Sequence, residues 1–377
     1  MALRPPPALL RRTLPCVRCQ TQAQLLRRSY ARSSVPVPPR SRRPAQLLTA
    51  LGAVAALVVV LAPRPSHAPR EGSAPSATAS GSSSSADVAP PPRLEPERFR
   101  TFRLRSRDCA TSTWATDSTG DGAHVVLRVP VAPPSDAPAA ALGILTLHLA
   151  HPLLSVQRPY TPLYAAPLLA GGDATLLIKR YRDGEVGRYA HELRAGDEVL
   201  LRGPEYSWRA RGDESDLLLI AGGTGLTPMY QLLTTLLGAP DATDEPPQTA
   251  AARPRLTLLY GTSRAESLLL LPELAALRER HPELDVRLFV EDEAPQGWWA
   301  WASGQQRRMH GMPLYAGRVT EKDVRGVRRE GQDVLVCGPD GMVAAVAGRR
   351  ARDGRGQGEL GGMLQRLGYT RERVHKL

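Results

Sequence analysis

Residues 216–229 read Asp216-Leu217-Leu218-Leu219-Ile220-Ala221-Gly222-Gly223-Thr224-Gly225-Leu226-Thr227-Pro228-Met229. Asp216–Ala221 reads as a strand: after its opening acid it is an unbroken apolar run, left through glycines. A strand buried on both faces has this pattern. Beyond the glycines the chain re-enters an apolar segment headed by proline. Pro is tolerated at a first helical position and Thr before it can cap, so a helix over 228–237 is expected with Thr227 as its N-cap. Strand, glycine turn and helix in this order allow a backbone to approach a dinucleotide, and Thr224 can bond a phosphate; a plain strand-to-helix turn is the competing reading.

Toward the C-terminus the same rhythm repeats. Leu256–Gly261 reads as a strand, Ala265–Arg280 as a helix, Asp285–Val290 and Asp333–Cys337 as strands, and a helix starts near Gly341. Apolar strands alternating with helices predict a doubly wound parallel α/β sheet over 211–377, with ligands at the carboxyl ends of its strands. Gly222–Gly225 and Cys337-Gly338-Pro339 both fall at such ends. Toward the N-terminus, Phe99–Leu104, Ala123–Val129, Ile144–Ala150, Thr175–Tyr181 and Asp197–Arg202 are short alternating runs punctuated by Gly, Pro and Asp. They predict a small antiparallel β-barrel over 96–210.

Ahead of the barrel the composition changes. Residues 63–95 are rich in Pro, Ser, Ala and Gly and read as a disordered linker. Ala45–Ala62 is an 18-residue run without charge, long enough for one transmembrane helix of the short kind. Residues 1–70 carry 12 Arg, no Lys and no acid. Residues 1–44 therefore have the composition of a mitochondrial targeting segment. Arg40, Arg42 and Arg43 precede the apolar run, which predicts an inner-membrane span with the body facing the intermembrane space. The whole chain has 49 Lys+Arg against 37 Asp+Glu, so setting aside those 12 Arg leaves 37 basic residues against 37 acidic ones. The body is then neutral, and a nucleic-acid partner is not expected. Cys16 and Cys19 form a C-x-x-C inside the targeting segment without a second ligand pair, so no metal site is expected.

Three segments are informative in combination: Arg158-Pro159-Tyr160-Thr161, Gly222-Gly223-Thr224-Gly225-Leu226-Thr227-Pro228-Met229 and Cys337-Gly338-Pro339-Asp340-Gly341-Met342. In this order the chain resembles the ferredoxin–NADP reductase superfamily over roughly residues 98–345, most closely its NADH–cytochrome b5 reductase branch. The resemblance implies a bound FAD that takes a hydride from NADH (or NADPH) and passes electrons on singly. It implies that Arg158 meets the flavin pyrophosphate, Tyr160 covers the ring with Pro159 beside it, and Thr161 bonds near the redox nitrogen. It further implies that Leu177 and Lys179 lie on the next strand. Gly184-Glu185-Val186-Gly187 would offer backbone amides to the pyrophosphate, as helix N-termini do. The family has Ser where this chain has Gly187. Gly222, Gly223, Thr224, Gly225 and Pro228 would form the nucleotide loop. Thr227 and Cys337 would flank the reacting nicotinamide, with Gly338, Pro339, Gly341 and Met342 shaping the turn. Ser263 and Arg264 would suit a 2′-phosphate and Glu266 would not, so NADH is the expected donor.

The end of the chain departs from that branch. Together with the N-terminal anchor it resembles the fungal mitochondrial flavoproteins linked to cytochrome c import and haem attachment. The expected acceptor is a haem protein or haem-lyase machinery in the intermembrane space. Two alternatives stay open: an outer-membrane NADH–cytochrome b5 reductase, and a non-enzymatic flavin-binding assembly or import factor for cytochrome c, for which Gly187 is the one support.

Overall fold

A computed structural model describes residues 90–109, 123–133, 141–240, 254–292, 307–351 and 356–377. The targeting segment and the apolar run Ala45–Ala62 lie outside them. Among the described residues no helix is long and apolar enough to cross a membrane. At the end of the expected linker the chain is already packed: Arg93 bridges Ala132 and Leu94 is buried.

Alternation builds the N-terminal half. In β3 (His124–Val131) Val125, Leu127, Val129 and Val131 point inward, since successive strand residues face opposite sides. Leu145, Leu147 and Leu149 of β4 (Gly143–Ala150) and Ala174, Leu176 and Ile178 of β6 (Gly172–Lys179) meet them in one core. Two antiparallel sheets result. One runs β1 (Arg100–Arg103), β7 (Glu198–Arg209), β4, β5 (Gln157–Tyr160); the other runs β2 (Ser106–Cys109), β3, β6. Helices α1 (Ala166–Ala170) and α2 (Glu185–Glu192) flank β6 in the chain.

The barrel is therefore less continuous than expected. Its seams include single backbone bonds, Arg105 N–H to Arg128 O and Leu163 N–H to Thr175 O, both 2.9 Å, where a ladder would complete the closure. The pairing of β4 with β7 also slips register at Ile144/Leu145 and at Thr146/His148. Such slips bend a strand and leave backbone groups for other partners.

The expected parallel sheet is present. Its order is β11 (Arg308–Met309), β12 (Met312–Ala316), β10 (Asp285–Val290), β9 (Arg255–Thr262), β8 (Asp216–Gly222), β13 (Asp333–Cys337), β14 (Val374–Lys376). Only the β11–β12 hairpin is antiparallel. β8 is buried on both faces, which is why it reads as an apolar run. Leu217, Leu219 and Ala221 pack with α3 (Leu226–Leu237) and α4 (Leu271–Arg280). Leu218 and Ile220 pack with residues of α5 (Glu321–Arg325), α6 (Asp340–Ala347) and α7 (Gly362–Arg366). The chain steps outward from β8 to β9, β10 and β12, then returns to lay β13 on the other side of β8. The order reverses between β8 and β13, so their carboxyl ends flank the crevice where such sheets bind ligands.

Two expectations are corrected. The helix over 265–280 is interrupted: a turn at Ala265–Ser267 is followed by Leu270 at φ 55°, and α4 starts only at Leu271. Leu268 and Leu269 go into the core instead, with the Leu269 N–H donating to the Tyr260 hydroxyl at 3.0 Å. Thr227 is not an N-cap, because a turn of 3₁₀ helix at Gly223–Gly225 precedes α3 and the helix begins at Leu226. The C-terminal tail, for which no element is predicted, continues the sheet as β14, parallel to β13. The Lys376 ammonium donates to Arg349 O at 3.0 Å and Glu359 O at 2.8 Å.

Candidate functional site

At the carboxyl end of β8, three glycines are placed by close approach. A Cβ on Gly225 would lie 2.4 Å from Cys337 O and 2.7 Å from Gly338 N. A Cβ on Gly222 would lie 2.4 Å from Met342 Sδ, and one on Gly338 would lie 3.1 Å from the Gly222 Cα. The glycine loop and the cysteine turn are thus packed backbone on backbone. That contact by itself requires Gly at 222, 225 and 338. Gly223 differs: it sits at φ +55°, and a Cβ there would meet nothing within 4 Å, so its Cα faces open space. Gly341 is open too, and Pro339 is exposed.

Thr227 is buried in the first turn of α3 and its hydroxyl donates to Thr224 O at 3.2 Å. Pro228 follows within the same turn, where a missing N–H has no intrahelical partner to lose. Cys337 ends β13 beside Ala221 of β8 and is partly buried. Burial pushes its thiol up to about 11, opposed by the Arg350 charge and by a backbone hydrogen bond from Gly338. The thiol is therefore protonated at neutral pH. It is not an activated nucleophile, which would need a depressed pKa.

The other side of the site comes from the barrel. β5 carries Arg158 and Tyr160. Arg158 is exposed and donates to Gln157 O at 2.9 Å. Tyr160 is half-buried; burial raises its hydroxyl to about 12, against a lowering effect of Arg158. The Thr161 and Thr146 hydroxyls lie 3.3 Å apart. Lys179 ends β6 with its ammonium 5.1 Å from the Tyr181 ring centroid. Gly184 is the N-cap of α2, no side chain caps that helix, and Glu185 lies in its first turn. Val186 and Gly187 are buried against β6, and a Cβ on Gly187 would lie 2.9 Å from Lys179 O. That close approach is a packing reason for glycine where the resembled family has Ser. Leu177 is placed differently from its neighbours: its side chain is in the core shared with β8 and α3, so only its backbone could serve a ligand.

Gln231 was not singled out by sequence. It is fully buried on α3, and its Oε1 accepts from Leu145 N–H at 2.7 Å. Its Nε2 donates to Leu145 O at 3.0 Å and to Pro162 O at 2.8 Å. The signal for it was the one amide side chain in a helix of apolar residues, threonines and a tyrosine, since a buried amide requires partners. Tyr181, 51% exposed, lies beside the Lys179 ammonium. Among the described residues no group of three or more His, Cys, Asp or Glu could hold a metal.

The residues fit a flavin and a nicotinamide dinucleotide. They combine an exposed Arg, a Lys, an uncapped helix N-terminus of eight residues and a half-buried Tyr on one side. On the other they offer an open glycine position and a protonated thiol at a switch point. Comparison agrees. A family described as the oxidoreductase FAD-binding domain matches residues 140–209, and one described as the oxidoreductase NAD-binding domain matches residues 219–348. The chain is 32% identical over 225 residues to a protein named NADH-cytochrome b5 reductase 2 of Neurospora crassa, covering 59% of this chain and 58% of that one. It is 30% identical over 246 residues to the protein of the same name from Emericella nidulans, covering 61% of this chain and 68% of that one. This chain thus matches less than two thirds of the length of the Neurospora relative. Among solved structures, the cytochrome b5 reductase domain of Ulva prolifera nitrate reductase superposes with a TM-score of 0.53 at 20% identity, covering 76% of this chain and all of that one, which shows the shared fold. With an FAD-binding and an NAD-binding oxidoreductase domain in this order, the chain belongs to the ferredoxin–NADP reductase superfamily, among the NADH–cytochrome b5 reductase-like flavoproteins.

Proposed function

We propose that this protein oxidises NADH at an FAD held between its two domains and passes the electrons singly to a haem protein. The observation that carries the reading is the meeting of the glycine loop with the Cys337 turn at the switch point, on the helix whose Gln231 grips the segment after Thr161. When bound, FAD supplies the conversion of a two-electron donor into single electrons. The chain's own residues bind and orient. Arg158, Lys179 and the first amides of α2 would take the pyrophosphate, since an uncapped helix N-terminus favours anions. Tyr160 would cover the ring and Thr161 would bond at its edge. Gly223 and Thr224 would face the second dinucleotide, with Gly341 and Pro339 open beside it. Thr227 and Cys337 would position the reacting ring, a proximity effect, and the protonated thiol adds no charge there.

NADH is favoured over NADPH because Arg264, the cation after β9, lies 3.5 Å from the Asp292 carboxylate, which opposes a 2′-phosphate. Gly187 lends little weight to a non-enzymatic role, because a packing contact explains it and backbone amides need no hydroxyl. The composition of residues 1–70 supports import into mitochondria. A single span at Ala45–Ala62 would then hold the catalytic body in the intermembrane space, with a haem protein or haem-attachment machinery as acceptor. The name of the relatives favours a cytochrome b5-type acceptor.

The test is an anaerobic absorption titration of the purified protein with NADH. Flavin bands that bleach at about one NADH per flavin are expected. A flavin that neither NADH nor NADPH bleaches refutes the oxidoreductase reading, and a body exposed on intact mitochondria refutes the placement.

A further inference from the structure

We propose that Gln231 is a positioning residue that keeps the flavin-side segment Tyr160–Pro162 in register with the nicotinamide-side mouth of α3. The inference rests on the NADH-oxidising reading above. Leu145 stands at the first register slip between β4 and β7, and the Gln231 amide takes both its N–H and its carbonyl. The same amide donates to the carbonyl of Pro162, the residue directly after Thr161. Thr234 continues the contact, with its hydroxyl 3.4 Å from Leu163 O. Thr227, Gln231 and Thr234 are spaced four and three residues apart, so they share one face of α3. Thr227 at the helix mouth is then a fixed ~6 Å along the helix axis from the clamp on the barrel. Two hydrophobic faces can slide on one another; three hydrogen bonds from one buried amide cannot.

Only a side chain that accepts and donates at once serves this arrangement. Leu in its place leaves three buried backbone groups without partners. An ionised carboxylate can accept from Leu145 N–H but cannot donate to two carbonyls, whereas a protonated one can accept and donate once. Gln231 touches neither flavin nor nicotinamide in this arrangement and acts only through the segments it holds.

The experiment uses the full chain with its flavin and the variants Gln231→Leu and Gln231→Glu. Hydrogen exchange of the backbone amides over residues 143–147 is measured without nucleotide. Flavin bleaching by NADH is then followed by anaerobic stopped flow, giving a limiting rate and a half-saturating concentration. Gln231→Leu is expected to keep its flavin, to exchange at Leu145 at least ~10-fold faster, and to bleach ~10²-fold more slowly at saturation. Its half-saturating NADH stays within ~3-fold of the parent, since the nucleotide contacts are untouched. Gln231→Glu is expected to lose limiting rate as pH rises through the titration of the new carboxyl, over a range where the parent is flat. Wild-type bleaching rates in Gln231→Leu overturn the proposal, as does a pH-independent parental rate in Gln231→Glu. Should Gln231→Leu not fold, Gln231→Glu decides. Should the parent itself not bleach with NADH, the oxidoreductase reading falls; unchanged exchange at residues 143–147 then overturns the clamp separately.

Discussion

Replacing Gly225 by Ala is a direct test of the contact between the two loops. The new Cβ would lie 2.4 Å from Cys337 O, 2.5 Å from its carbonyl carbon and 2.7 Å from Gly338 N, whereas ordinary contacts begin at 3.4 Å. All three atoms are backbone, so no side chain can rotate away. The glycine loop and the cysteine turn must part by about 1 Å to restore ordinary contact distances. Forcing a methyl into a packed site costs about 1–3 kcal/mol. For a body of this size that is a fall in Tm of roughly 2–10 °C. Function is expected to suffer more than stability, because parting the loops moves Thr227 away from Cys337, and a 1 Å misplacement can cost ~10²-fold in rate. Calorimetry and anaerobic flavin bleaching by NADH measure the two effects on one preparation. Gly326→Ala is the control: Gly326 has φ −66° and a Cβ there meets carbonyl oxygens at 3.4–3.5 Å, so its stability should stay within about 0.5 kcal/mol of the parent. A Gly225→Ala protein with parental Tm and parental bleaching rate would refute the reasoning.

Cys337 should resist alkylation by iodoacetamide at pH 7–9 in the folded protein and react faster only as pH approaches about 11, because burial raises its pKa; rapid labelling of Cys337 at pH 7.5 is the contrary result. Burial lowers His124 and His191 to about 4, each well below an ordinary imidazole. The folded state therefore binds fewer protons than the unfolded one between about pH 6.5 and 4, and stability present above 6.5 is lost as pH falls through that window. Urea unfolding at pH 7 and 4.5 should show the loss, and a His124→Gln, His191→Gln double variant should flatten it. Asp333 is buried and accepts from Arg211 at 2.8 and 2.9 Å and from Arg373 at 2.8 Å. Asp333→Ala should lower stability by about 2–3 kcal/mol, below the usual figure for a buried pair because Arg211 is partly exposed. An unchanged urea midpoint would contradict that.

Much of the fold that carries the candidate site could be read before any tertiary contact was known. Leu217–Ala221 read as a strand buried on both faces because it is, and a parallel strand with apolar neighbours on each side has no polar face to show. The resemblance placed Arg158-Pro159-Tyr160-Thr161 at a strand end, Lys179 on a strand and Gly184 at the opening of a short helix; Arg158–Tyr160 lie in β5, Lys179 ends β6 and Gly184 is the N-cap of α2. The flanks of Thr227 misled. Thr followed by Pro is a sound start signal, yet the turn at Gly223–Gly225 wound into helix first and left Thr227 inside it.

By itself the sequence determined what is local: the alternation of a small barrel and the strand-turn-helix rhythm of a doubly wound sheet. Those follow from periodicity and from turn chemistry within a few residues. The tertiary structure alone decided which glycines are needed for the loops to touch and which one faces open space. It decided too that Leu177 belongs to the core between the domains, that the tail pairs with β13 as β14, and that Gln231 bridges residues 69 and 86 positions away. Close approach and buried hydrogen bonding depend on which distant segments the fold brings together, and no window along the chain contains both partners.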